Sequence, residues 1–125
     1  MDQERVDRSM TTHVVPVFPF RMNHHQTLFG GVALQWMDEV AFVSATRYSR
    51  KRLVTMGSEK VEFLKPIQMG DFAEVTGKVV RVGTKSITVE VLMHMEKMYE
   101  DQKELAAKGY FTFVAVDEEG KSIAI

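Results

Sequence analysis

The residues of this 125-residue chain that could do chemistry concentrate between Asn23 and Glu39, in the run N-H-H-Q-T-L-F-G-G-V-A-L-Q-W-M-D-E. Gly30 and Gly31 open a long apolar helix, expected over about Val32 to Tyr48, and Asp38 sits two turns inside it. A carboxylate at that depth is costly unless it has partners or work to do. A helix that starts on two glycines leaves backbone N–H groups unpaired and aimed at whatever lies in front of them. A preorganised donor of this kind contributes on the order of 3 kcal/mol to an oxyanion transition state. Oxyanion donor and carboxylate on one rigid element are the minimum parts for acyl-group chemistry.

The helix must bury most of its surface, because Val32, Trp36, Met37, Val40, Phe42 and Ala45 put apolar groups on nearly every face. Three and four residues from Asp38 stand Leu34, Gln35, Ala41 and Phe42, so the carboxylate faces mostly apolar company. A solvated stripe shared with Gln35 and Glu39 is the bland alternative, and the apolar interruptions weigh against it. Glu39 points about 100° away round the helix, which suits a salt bridge or an interface rather than a second catalytic acid. His24 and His25 are adjacent and lack any HExxH or carboxylate partner, so they read as surface or interface residues and no metal site is expected. Asn23 carries an amide that could hold a water or a carbonyl; spacing alone makes it a candidate and no more.

Composition narrows the classes further. Hydrophobic residues at 45% and charged ones at 26% suit one ordinary globular domain spanning residues 1–125. There is no cysteine, which removes disulfides, thiolate metal sites and a cysteine nucleophile. No run approaches the ~18 apolar residues of a membrane span, and Met1 to Ser9 lacks a signal-peptide core, so a cytoplasmic location without membrane partners is expected. A net charge of −1 gives no global field for nucleic acid. The cluster Arg47, Arg50, Lys51 and Arg52 falls at the expected helix end, where cations oppose the macrodipole; that reading outweighs phosphate binding. No G-x-x-x-x-G-K-[ST], G-x-G-x-x-G or G-x-S-x-G pattern occurs.

Beyond the helix the hydrophobic period is two. Strands are expected over Leu53 to Leu64, Phe72 to Val82, Lys85 to Lys97 and about Leu105 to Val116, with an edge strand within Met10 to Phe18. Ile87, Val89, Val91, Met93 and Met95 share one face in the clearest alternation. The order β-α-β-β-β-β with short turns implies an α+β fold, a long antiparallel meander wrapped around one central helix. A curled sheet covers a helix on one side only, so at least a homodimer is expected to cover the rest.

Four motifs occur in order: N-x5-F-G-G-x6-D-E from Asn23, V-T-x7-F-L-x-P-I-x-x-G-D from Val54, V-G-x-x-S from Val82 and Y-F-T-F-V-A-V-D-E-x-G from Tyr110. Together they resemble the hotdog-fold acyl-CoA thioesterases, in the branch of the brain-type cytosolic acyl-CoA hydrolase and its bacterial relatives. The resemblance covers nearly the whole chain from Phe18 onward. Two positions depart from the family's habit: Gln26 stands where glycine is frequent, and T-M-G-S-E (Thr55 to Glu59) where T-A-S-V-D is usual.

The resemblance implies hydrolysis of an acyl-CoA thioester by Asp38 and Asn23, with the Gly31 N–H polarising the carbonyl. It also implies a homodimer, often a trimer of dimers, with Asn23 and Asp38 of one site coming from different protomers. Phe29 and Gly30 would lie along the substrate. Arg81 and the hairpin Gly83, Thr84, Lys85 and Ser86 would lie near coenzyme A, although an ordinary turn is the reading of that hairpin without this context. No cofactor is implied, since coenzyme A is part of the substrate. A hotdog hydratase or dehydratase and a non-catalytic acyl-CoA-binding module are the alternatives; position 43, where a hydratase would carry histidine, is Val43.

Overall fold

The computed structural model describes residues 1–125. Its elements are α1 (Gln3–Ser9), β1 (Thr11–Pro16), a 3-10 turn (Pro19–Arg21), α2 (Gly30–Ser49), β2 (Leu53–Phe63), β3 (Phe72–Val82), β4 (Ser86–Glu96) and β5 (Lys103–Ala115). The five strands form one antiparallel sheet in the order β1-β3-β4-β5-β2, with α2 lying in its concave face. A long antiparallel sheet around one central helix is what the periodicity predicts, and it is the hotdog arrangement that the resemblance implies.

Burial follows the alternation. Ile87, Val89, Val91 and Met93 of β4 are fully buried against α2, from which Met37, Ala41 and Ala45 project into the same core. Helix and sheet approach closely at Gly77 of β3, where an added Cβ would stand 3.0 Å from a Val40 methyl. No helix is long and apolar enough to cross a membrane.

The expected four-strand meander is corrected at β2. Only β3, β4 and β5 form a meander; β2 pairs with β5 at the far edge, and β1 takes the place beside β3. The connector 64–71 therefore spans the end of the sheet from β2 across to β3. Three strand spacings are about 14 Å, well within the reach of eight residues at roughly 3.3 Å each. Its backbone is tied down on the way, since the carbonyl of Ala106 accepts from the N–H groups of Leu64 (2.7 Å) and Lys65 (3.1 Å). The connector ends in a turn at Gly70, whose φ of +89° suits glycine, and buried Asp71 accepts from the Gln68 N–H and from Lys97 Nζ.

An element not foreseen is α1, which packs on α2 and β3. Asp2 caps it by accepting from the Glu4 and Arg5 N–H groups, and Val6 is its buried anchor. The two helices exchange arginines. Arg5 donates to the Tyr48 carbonyl at 2.6 Å and stacks on the Tyr48 ring, satisfying an end carbonyl of α2. Arg47 in return donates to the carbonyls of Arg8 (2.6 Å) and Met10 (2.9 Å). The basic cluster at the helix end is thus partly structural, with Arg50 in the left-handed C-cap conformation.

Candidate active site

The stripe of α2 left open by the sheet is the i, i+3, i+4, i+7 series Gly31, Leu34, Gln35 and Asp38, continued by Phe42. It borders a cavity of about 420 Å³ whose opposite wall is Thr55, Gly57 and Ser58 of β2. Helical Cα–Cβ bonds tilt toward the N-terminus, so the Asp38 carboxylate leans back toward Gly31. None of the ion pairs in the chain involves Asp38. Burial raises its pKa above the ordinary carboxylate value, and the neighbouring Glu39 charge raises it further. Glu39 itself is exposed and accepts a hydrogen bond from Gln35 at 3.0 Å rather than forming a salt bridge.

At the start of α2, Phe29 is the N-cap and its side chain makes no capping bond. The first α2 amides to bond its carbonyl are those of Val32 and Ala33, both at 3.0 Å, so the N–H groups of Gly30 and Gly31 have no backbone acceptor. Both point outward at the positive end of a 20-residue helix. Nothing lies within 4 Å of where a Cβ on Gly30 would sit, whereas the exposed Phe29 ring lies against Gly31.

Asn23 occupies a different place. The half-buried Asn23 lines a second cavity of about 320 Å³, together with Gly30, Ala33 and Met93. Asn23 Oδ1 accepts from the His25 N–H (2.8 Å), the Thr27 N–H (3.2 Å) and the Thr27 hydroxyl (3.1 Å). Those donors fix the amide's orientation and leave Nδ2 as its free donor. Within one chain, then, Asn23 and Asp38 do not meet. The loop around Asn23 is closed by Gln26, which adopts φ +65°, the left-handed conformation in which glycine is at ease. His24 and His25 are exposed with their rings 3.9 Å apart, as surface residues.

The remaining candidates lie beyond β2. Arg81 lines a shallow cavity that shares Gly57 and Ser58 with the Asp38 cavity, so a path runs from the carboxylate to a guanidinium. Arg81 donates to the Thr88 hydroxyl at 3.2 Å and stands 4.0 Å from Glu59. The hairpin is an ordinary tight turn: the Gly83 N–H donates to the Ser86 carbonyl at 2.8 Å. Its outer side is engaged by the last residues of the chain, with the Ile125 N–H on the Thr84 carbonyl and Lys85 Nζ on the Ser122 hydroxyl. Gly83, Thr84, Lys85 and Ser86 line neither the Asp38 cavity nor the Asn23 cavity. Thr55, which the sequence marks only as the start of the segment that departs from the family's habit, lines the cavity of Asp38. Its position at the start of a β-bulge on an edge strand is invisible to periodicity.

Residues 25–101 match the Thioesterase superfamily. Over 109 residues the chain is 40% identical to the uncharacterized acyl-CoA thioester hydrolase YkhA of Bacillus subtilis, covering 87% of this chain and 63% of that protein. It is 28% identical to the human cytosolic acyl coenzyme A thioester hydrolase, covering 96% of this chain and 32% of the relative. The chain therefore spans less than two thirds of the length of either. Among solved structures, the acyl-CoA hydrolase of Staphylococcus aureus in complex with butyryl coenzyme A and coenzyme A superposes with a TM-score of 0.90 at 36% identity, over 95% of this chain and 73% of that one. Asparagine-, aspartate- and threonine-to-alanine mutants of that enzyme are similar to the same degree. A hexameric acyl-CoA thioesterase superposes with a TM-score of 0.92 at 34% identity, over 95% of this chain and 76% of its own. With 77 of its residues matching that family and its fold in common with these solved structures, the chain belongs to the thioesterase superfamily.

Proposed function

We propose that the protein is an acyl-CoA thioester hydrolase, converting acyl-CoA and water to a carboxylic acid and free coenzyme A, in an active site built by two copies of the chain. The observation that carries this reading is Asp38: a carboxylate with its pKa raised, without an ion-pair partner, on the same helix stripe as the uncapped Gly31 N–H. In the mutants of the Staphylococcus aureus enzyme, the replaced asparagine, aspartate and threonine have the same mutual spacing as Asn23, Asp38 and Thr55, which supports a role for all three.

Asp38 acts as general base on water, an effect of roughly 10²–10⁴-fold. The raised pKa makes its carboxylate a stronger base. Attack by the carboxylate itself, through a mixed anhydride, would use the same residue as nucleophile. The Gly31 N–H binds the oxyanion, the Asn23 amide donates to the thioester carbonyl or the water, and the Thr55 hydroxyl holds that water. The leaving thiolate needs no strong general acid, since a thiol pKa is about 8.5. Arg81 is the first candidate for the coenzyme A phosphates, with Lys85 and the adjoining hairpin beside it. No cofactor takes part; coenzyme A enters as substrate.

A second copy supplies what one chain lacks. Asn23 and Asp38 line separate cavities, and Leu34, Phe42, Val54 and Met56 leave apolar surface open on α2 and on the β2 edge. A homodimer closes both, and a trimer of dimers agrees with the hexameric neighbour. A cytoplasmic location accords with the human relative's name. Free-thiol release from acyl-CoAs by wild type, Asp38→Ala and Asn23→Ala tests the reading. Full activity of Asp38→Ala would defeat the mechanism, and no turnover by wild type would favour an acyl-CoA-binding module.

A further inference from the structure

We infer that the cavity beside Asn23 receives the acyl chain, and that Ala33, Ala106 and Ala107 set its depth so that it takes medium-length chains. This rests on the thioesterase reading above and adds the substrate class. The cavity measures about 320 Å³. At roughly 30 Å³ for each carbon-sized group, that is space for a chain of about ten carbons.

The cavity is built for an apolar tail with one polar head. Asn23 and Gly30 stand at one end, where the Asn23 amide has only its Nδ2 left to give and the Gly30 N–H has no backbone acceptor. Apart from Thr27, bonded to Asn23, and Lys65, paired with Glu104, the rest is apolar, with Met93 of β4 fully buried at the floor and Phe63 and Leu64 at the exposed rim. It is also pre-formed. The double acceptance by the Ala106 carbonyl pins the rim to β5, and the Leu28 N–H on the Ile67 carbonyl (2.7 Å) ties the rim to the Asn23 loop. Further along β5 the sheet interior is filled by Phe111 and Phe113, both buried. Where the cavity lies, α2 and β5 instead present only methyl groups, from Ala33, Ala106 and Ala107, all buried.

The test measures KM for saturated acyl-CoAs from two to sixteen carbons with wild type, Ala107→Leu and Phe63→Ala, folding being followed by Tm. For wild type, KM should fall roughly four-fold per added methylene until the cavity is full near ten carbons, then level off. Ala107→Leu should move that break to chains about three carbons shorter, read as a rise in the KM ratio of decanoyl- to butyryl-CoA. Phe63→Ala, at an exposed position that tolerates truncation, should raise the same ratio. A folded Ala107→Leu with the wild-type profile would place the chain elsewhere and overturn the inference while leaving the hydrolase reading intact. If Ala107→Leu does not fold, an unchanged ratio in Phe63→Ala does the same. Absence of turnover on every acyl-CoA overturns the hydrolase reading and this inference with it.

Discussion

Asn23 and Asp38 line two different cavities of the same chain, one reached past Gly30 and the other past Gly31 at the start of α2. Asn23 is fixed by three donors to its carbonyl, whereas Asp38 has no ion-pair partner at all. A two-fold interface uses the same patch on both copies, so pairing the open α2 faces would offer each Asp38 a loop from its neighbour.

Replacing Asp38 by Asn should lower kcat by roughly 10²–10⁴-fold. In wild type, kcat should fall as pH drops through the Asp38 pKa, which burial and the Glu39 charge have raised. The stability consequence has the opposite sense. A carboxyl whose folded pKa lies above its unfolded value favours folding when protonated, and that contribution is lost as pH rises through the folded pKa. Asp38→Asn should therefore raise Tm at neutral pH, with the gain vanishing below the ordinary carboxylate pKa. Thermal melts of both proteins across pH check the sign.

Arg47 and Arg81 should separate structure from substrate binding. Arg47→Ala removes donors to the Arg8 and Met10 carbonyls and should cost about 1–2 kcal/mol, without changing KM for acyl-CoA. Arg81 is exposed and its Glu59 contact, at 4.0 Å, is worth little. Arg81→Ala should leave Tm nearly unchanged and raise KM several-fold. Steady-state kinetics at two salt concentrations, with melts of each variant, distinguish the two.

Gln26 holds a left-handed conformation at φ +65°, which costs an L-residue about 1–2 kcal/mol. Gln26→Gly should relieve part of that cost and stabilise the fold by about 1 kcal/mol. The expected signature is a higher urea midpoint with an unchanged m-value.

Most of the architecture could be read from periodicity. The expected Phe72–Val82 strand matches β3 residue for residue, and the expected helix falls within α2. What periodicity could not supply was order in the sheet: β2 and β3 are consecutive, yet β2 pairs with β5. Alternation specifies which face of a strand is buried, not which strand lies beside it. The short α1 escaped because its apolar content is the single buried Val6, too little for a helical period. In the candidate site, Asp38 and the glycines could be picked out because they violate the chemistry of an ordinary apolar helix. Thr55 could not, since a threonine on a strand violates nothing and only the folded chain brings it opposite Asp38.

The central claim, one site shared by two copies, is tested most directly by mixing the two inactive variants Asn23→Ala and Asp38→Ala under conditions that allow subunit exchange. A mixed dimer then holds one site with both residues intact and one with neither, so an equal mixture should recover roughly a quarter of wild-type activity. No recovery, with exchange verified independently, would mean that each chain assembles its site alone and would contradict the account.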